Sequence, residues 1–176
     1  MTAPMKLAHI VFRTNDLPAM QQWYCTVLDA HVVFGNDRIA FLTYDKEHHR
    51  IALVAAGPFA ARPKEPAVGF YHAAFAYRDL RELLDNHDRL LALGIKPWRV
   101  INHGLTISCY YADPDGNDIE FQVDRFEDAE DAKIWMTGDA FANNPVGLEV
   151  DPDALRRRLD SGEPIESIMR RADEIQ

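Results

Sequence analysis

One order of secondary-structure elements occurs twice in this chain. LAHIVFRT at residues 7–14 is an apolar, β-branched run followed at once by NDLPAMQQWYCTVL. Three short apolar runs come next, HVVF at 31–34, IAFLTY at 39–44 and RIALVAA at 50–56, separated by GND and DKEHH. These read as a strand, a helix and a meander of three strands. Asp16 is placed to cap the helix, and Pro18 is accepted because it falls in the first turn, where its missing N–H has no intrahelical partner to lose. Met20, Tyr24, Val27 and Leu28 recur at helical spacing, and the helix is expected to end near Asp29. A linker carrying Pro58, Pro63 and Pro66 follows, and then the pattern restarts. GFYHAAFAY at 69–77 reads as a strand and RDLRELLDNHDRLLALG at 78–94 as an amphipathic helix closed by Gly94. Its expected buried stripe is Leu80, Leu83, Leu84, Leu90, Leu91 and Leu93. WRVI, TISCYYA and NDIEFQV read as three more strands, the last two joined by a DPDGN tight turn. The repeat is one of element order, not of letters. It predicts an α+β chain in which two βαβββ modules, 5–56 and 69–124, pair to form a curved mixed sheet.

Beyond Val123 the composition changes, and residues 126–176 read as a helical extension to the domain of residues 1–125. Asp151 followed by Pro152 starts one helix and Pro164 starts another carrying Ile165, Ile168 and Met169. Helices with such narrow apolar faces cannot fold alone, so they are expected to pack on the sheet or on a second subunit, with Trp135 and Phe141 as anchors. Charge then narrows the partners. Nineteen Lys and Arg stand against 28 Asp and Glu, a net charge of -9, which repels phosphate backbones and anionic lipid. Nucleic acid and membrane are excluded as partners on that ground, and no apolar run approaches the about 18 residues needed to span a bilayer. Two cysteines, Cys25 and Cys109, are too few for a disulfide framework. The expected address is the cytoplasm.

Chemistry concentrates in three residues. His9 and His72 each sit in the first strand of a module among apolar neighbours and are expected to point inward. Glu120 lies in the last strand between Ile119 and Phe121, where an unpaired carboxylate costs several kcal/mol, roughly the scale for a buried charge. Two imidazoles and one carboxylate form the set that binds non-haem Fe(II) or Mn(II) on one face and leaves the other open. The same residues admit a plainer account, in which each histidine bonds a backbone carbonyl and Glu120 pairs with Arg13 or Arg99.

The paired modules, with His9 and His72 opening them and HGLTISCYYADPDGNDIEFQ closing the second, resemble the vicinal oxygen chelate (glyoxalase/bleomycin resistance/dioxygenase) superfamily. The chain looks most like its one-domain, type I extradiol ring-cleaving dioxygenases, over about residues 5 to 125. That resemblance implies a sheet wrapped around a metal site held by His9, His72 and Glu120, with Fe(II), or Mn(II), as cofactor. It implies that Tyr110 faces the substrate, that His103 lies outside the ligand set beside it, and that His49 is the acid and base, with His48 as the neighbouring alternative. The implied reaction is cleavage of a catechol-type ring, with a small-molecule diol and O2 as substrates. The resemblance leaves two other classes, a glyoxalase-like metal-dependent isomerase or lyase and a non-catalytic binder of aromatic ligands. The first needs a fourth protein ligand, and the strand that would supply it offers only Ile51, Ala52 and Leu53. His31 and His87 read as ordinary, His87 on the polar side of its helix, and Cys109 points away from Tyr110. Uncovered sheet edges make a homodimer the expected assembly.

Overall fold

The computed structural model describes residues 2–63, 65 and 67–174, so Pro66 of the linker and the last two positions of the extension lie outside the described residues. The chain divides into two compact units. One comprises Met1–Phe70 with Asp113–Asn117, and the other Tyr71–Ala112 with Asp118–Gln176. Each carries one mixed sheet and the βαβββ order read from the sequence.

In the first unit β1 (Ile10–Arg13), α1 (Leu17–Val27), β2 (His31–Gly35), β3 (Ile39–Thr43) and β4 (Ile51–Val54) form a sheet of order β1-β4-β3-β2. The first strand runs parallel to β4 and the others pair antiparallel, because the helix carries the chain across before the meander returns it. Asp16 caps α1 by accepting from the Ala19 N–H. Met20, Tyr24 and Val27 of α1 close over Leu42, Ile51 and Leu53, all fully buried. The Tyr24 hydroxyl donates to the buried Asp113 carboxylate at 3.0 Å. Asp113 also accepts from the backbone N–H groups of Asp115 and Asn117, which closes the DPDGN turn.

The second unit orders its strands β5-β8-β7-β6-β9. It contains β5 (His72–Tyr77), α2 (Leu80–Ala92), β6 (Arg99–Asn102), β7 (Thr106–Ala112) and β8 (Asp118–Asp124), then α3 (Ala129–Met136), α4 (Asp139–Asn143), β9 (Leu148–Glu149), α5 (Pro152–Asp160), α6 (Ile165–Met169) and a short 3-10 turn, Ala172–Glu174. The extension is therefore not helical throughout: β9 pairs antiparallel with the edge strand β6. Its helices bury Leu155, Leu159, Ile168 and Met169, with α5 against α2. Within the extension the rings of Trp135 and Phe141 lie edge to face 5.8 Å apart.

The buried stripe of α2 differs from the sequence reading. Leu80, Leu83, Leu84 and Leu90 are buried, but Leu91 and Leu93 are 40% and 59% exposed, and His87 is buried. Steps of three and four from Leu80 lead through Leu83, Leu84 and His87 to Leu90, so the imidazole sits on the core line and the two last leucines are rotated off it. Leu84→Ala is expected to destabilise the fold by about 2–5 kcal/mol and Leu93→Ala by no more than about 0.5 kcal/mol in urea titrations.

Candidate active site

The parallel pairing of β5 with β8 sets Ala74 opposite Glu120 and His72 opposite Asp118. Side chains alternate along a strand, so His72 and Glu120 project from one face of the sheet while Ala73, Ile119 and Phe121 enter the core on the other. On their shared face His72 Nε2 and Glu120 Oε2 stand 2.9 Å apart, with the carboxylate side chain only 7% exposed. Neither Arg13 nor Arg99 pairs with Glu120 as the plainer account supposed. Arg99 bonds Glu149 at 3.0 Å, and Arg13 lies over the Phe59 ring. A divalent cation with ligand bonds of about 2.1 Å holds adjacent donors about 3 Å apart, so this nitrogen and oxygen fit one. Among the described residues no group of three or more His, Cys, Asp and Glu is gathered to hold a metal ion. The second unit brings together two of the expected ligands; His9 belongs to the first unit.

Tyr110 joins His72 and Glu120. It pairs with Glu120 across β7 and β8, and its ring stands edge-on to His72 with centroids 5.7 Å apart. Burial and the nearby Glu120 charge push the Tyr110 phenol well above its usual range, so it keeps its proton at neutral pH. His103 follows β6 directly. Its Nδ1 bonds the Val146 carbonyl, and its Nε2 lies 2.9 Å from the Tyr110 hydroxyl. A carbonyl only accepts, so Nδ1 carries the hydrogen and Nε2 of the neutral ring is left to accept from Tyr110. Burial holds the His103 imidazole below its ordinary value, against a smaller opposing effect of the Val146 bond. The indole of Trp98, half-exposed, lies 5.7 Å from the Tyr110 ring.

In the first unit His9 immediately precedes β1 and is exposed, as are Val11 and Arg13, while Phe12 and Thr14 are buried. The expectation that His9 points inward with Leu7 and Val11 is corrected: that face is the open one, and the alternate face carries the core. The His9 ring lies 4.4 Å from that of His49, which also stacks on Phe41 at 4.7 Å. His49 Nδ1 faces His48 Nδ1 at 2.6 Å. Desolvation, followed by the neighbouring His9 and His48, depresses the His49 imidazole. His9 and His49 are thus gathered in one unit, and His72, Glu120, Tyr110 and His103 in the other.

Cys109 does point away from Tyr110, into the core, and burial pushes its thiol up to about 12. His87 is not on a polar face; it is buried and its Nδ1 meets Asp88 at 2.9 Å. Sequence reading missed the groups that brace His103, above all Arg171, which is fully buried. No periodicity in IMRRAD marks that arginine as interior.

The family model described as Glyoxalase/Bleomycin resistance protein/Dioxygenase superfamily matches residues 6–121. The chain is 45% identical to "Biphenyl-2,3-diol 1,2-dioxygenase 2" of Rhodococcus globerulus, over 96% of this chain and 88% of that protein. It is 42% identical to "Biphenyl-2,3-diol 1,2-dioxygenase 3" of the same organism, over 98% and 91% of the two chains. Among solved structures, a glyoxalase/dioxygenase from Nostoc punctiforme superposes with a TM-score of 0.59 at 20% identity, covering 70% of this chain and 96% of that one, which shows a shared fold.

The depressed imidazoles give a pH signature. As pH falls through the ordinary imidazole value of about 6.5, the unfolded chain takes up protons that folded His49 and His103 resist, so stability declines until the folded groups also protonate. Urea titration of metal-free protein should show level stability above about pH 7 from these groups and a decline below it. His103→Asn should shrink that decline, and an unchanged slope in the variant would show that His103 is not desolvated.

Proposed function

The chain belongs to the glyoxalase/bleomycin resistance protein/dioxygenase superfamily, and from that premise we infer that it is an extradiol dioxygenase, cleaving a catechol-type ring with O2. The observation that carries this reading is the identity to two biphenyl-2,3-diol dioxygenases along nearly the whole chain, the C-terminal extension included. The enzyme uses a metal cofactor. We propose Fe(II), with Mn(II) as the alternative, and His9, His72 and Glu120 as its ligands. The 2.9 Å approach of His72 Nε2 to Glu120 Oε2 supports the last two. When bound, such an ion supplies a Lewis-acidic, redox-active centre for the diol and O2.

The protein's own groups would manage the diol's protons and orientation. A diol hydroxyl must lose its proton before its oxygen can chelate a metal. An imidazole held below its ordinary value is neutral at physiological pH and free to accept it, which supports His49 as the base. His48 is the more exposed of the adjacent pair, and His49 is the one packed against His9 and Phe41, which favours His49 for the role. The Nδ1 to Nδ1 contact lets the two rings hold one proton between them. Tyr110, kept protonated, carries a single O–H hydrogen, which here points to His103 Nε2; rotated toward a bound diol, the same O–H can donate to a deprotonated diol oxygen and orient it. Trp98 adds a flat apolar surface beside it, suited to an aromatic substrate.

Anaerobic loading with Fe(II), followed by catechol or 2,3-dihydroxybiphenyl in air, should consume O2 and release a yellow ring-opened product. Iron bound without O2 uptake on any of a panel of diols would refute the dioxygenase reading. His49→Phe is expected to retain iron and lose at least about 100-fold in kcat, the scale of a lost acid-base group. Loss of iron in that variant would instead make His49 a ligand.

A further inference from the structure

We propose that the C-terminal extension sets the ring tautomer and direction of His103, and that Arg171 is the positioning residue which holds that arrangement together. The catalytic consequence rests on the dioxygenase reading above; the structural assignment does not.

The only carbonyl bonded to His103 Nδ1 among the described contacts is that of Val146, a residue of the extension 43 positions further along the chain. That bond puts the ring hydrogen on Nδ1 and leaves the Nε2 lone pair for the Tyr110 hydroxyl. With the other tautomer, Nε2–H and Tyr110 O–H would face each other as two donors, and Tyr110 would turn its proton elsewhere. Whether His103 can compete with the Glu120 carboxylate for the tyrosine's hydrogen therefore depends on where Val146 stands.

Val146 is exposed and cannot hold its own position. The turn around it is braced by Asn144, whose side-chain oxygen accepts from the Gly147 N–H at 2.9 Å while its amide donates to the Gly147 carbonyl at 3.1 Å. Asn144 is fastened in turn by Arg171, whose Nη1 donates to the Asn144 carbonyl at 2.7 Å and to the carbonyl of His103 itself at 3.2 Å. The remaining guanidinium groups donate to the Ala140 carbonyl and to Asp173, the latter at 2.6 Å, and the indole of Trp135 lies 5.4 Å from the guanidinium carbon. A buried charge is retained only where its hydrogens are satisfied, and this one is satisfied by the Asp173 carboxylate together with the carbonyls of His103 and of Ala140 and Asn144 in the segment leading to Val146. One guanidinium thus ties both ends of the His103–Val146 bond to a common point. Gly147 completes the device. It adopts φ +101, and a Cβ there would run into the Asn102 carbonyl oxygen and come within 2.7 Å of His103 Cα.

The test reads the ring directly. In protein labelled with 15N-histidine and held metal-free at about pH 8, where an imidazole is neutral, two-bond 1H–15N spectra distinguish a protonated Nδ1 from a protonated Nε2. The His103 signals are identified by their loss in His103→Phe. Wild type should show Nδ1 protonated and Nε2 not. Arg171→Met removes the tie, and Gly147→Ala displaces the Val146 turn without removing a buried charge. Each should average or invert the His103 pattern, and in iron-loaded protein lower kcat about 10- to 100-fold, the scale for partners that orient an active-site group, with KM little changed. A wild-type spectrum with Nε2 protonated overturns the proposal even if both variants fail to fold. So does a folded variant that keeps the wild-type pattern, or one whose pattern changes while kcat does not. Wild-type protein that shows the expected tautomer but turns over no diol refutes the dioxygenase reading and supports the tautomer assignment.

Discussion

The parallel pairing of β5 with β8 is the constraint on which the site of the second unit depends. A parallel pair has no hairpin to fix its register; the crossover through α2, β6 and β7 and the burial of one face must do so. A slip of one residue would send Glu120 into the apolar layer and Phe121 onto the open face. The core of Ile119, Phe121 and Val123 packed under α2 forbids that slip, and in doing so it holds Glu120 against His72. The packing of leucines on the far side of the sheet thereby sets a nitrogen and an oxygen 2.9 Å apart on the near side.

From that pair outward, the polar groups of the site are ordered by hydrogen bonds with one sensible direction. Glu120 presents negative charge to Tyr110, burial and that charge keep the phenol protonated, and its hydrogen then needs an acceptor. His103 can be that acceptor only with its own hydrogen on Nδ1, which the Val146 carbonyl requires. The first unit treats its imidazoles in a different way. His9 and His48 crowd against His49, and desolvation followed by repulsion from those two rings lowers the His49 imidazole.

The extension is part of this arrangement rather than an appendage to it. It adds β9 to the exposed edge of β6, which protects unpaired backbone groups and fixes the strand from which His103 springs. Arg125 and Arg171 fasten the carbonyls of Gly104 and His103 to the final turn of the chain, Arg125 pairing with Glu174. The alignments to the two Rhodococcus dioxygenases cover 96% and 98% of the chain and so take in this region.

The sequence by itself determined the two modules, since period-2 apolar runs, capping aspartates and the DPDGN turn are local signals whose physical cause lies within a few residues. Helix limits and the succession of strands along the chain follow from such signals, and the resemblance named every candidate from His9 to Glu120. What the letters left open concerns direction and distant partners. Continuous apolar runs such as LAHIVF do not show which alternate set is covered, so the exposed face of His9 became clear only in the folded sheet. His87 seemed polar because a lone imidazole among charges carries no sign of a leucine line passing through it. Arg171 could not be read at all: a buried arginine is kept inside by carbonyls brought to it from residues 103, 140 and 144, and a contact of that separation exists only once the chain has closed on itself.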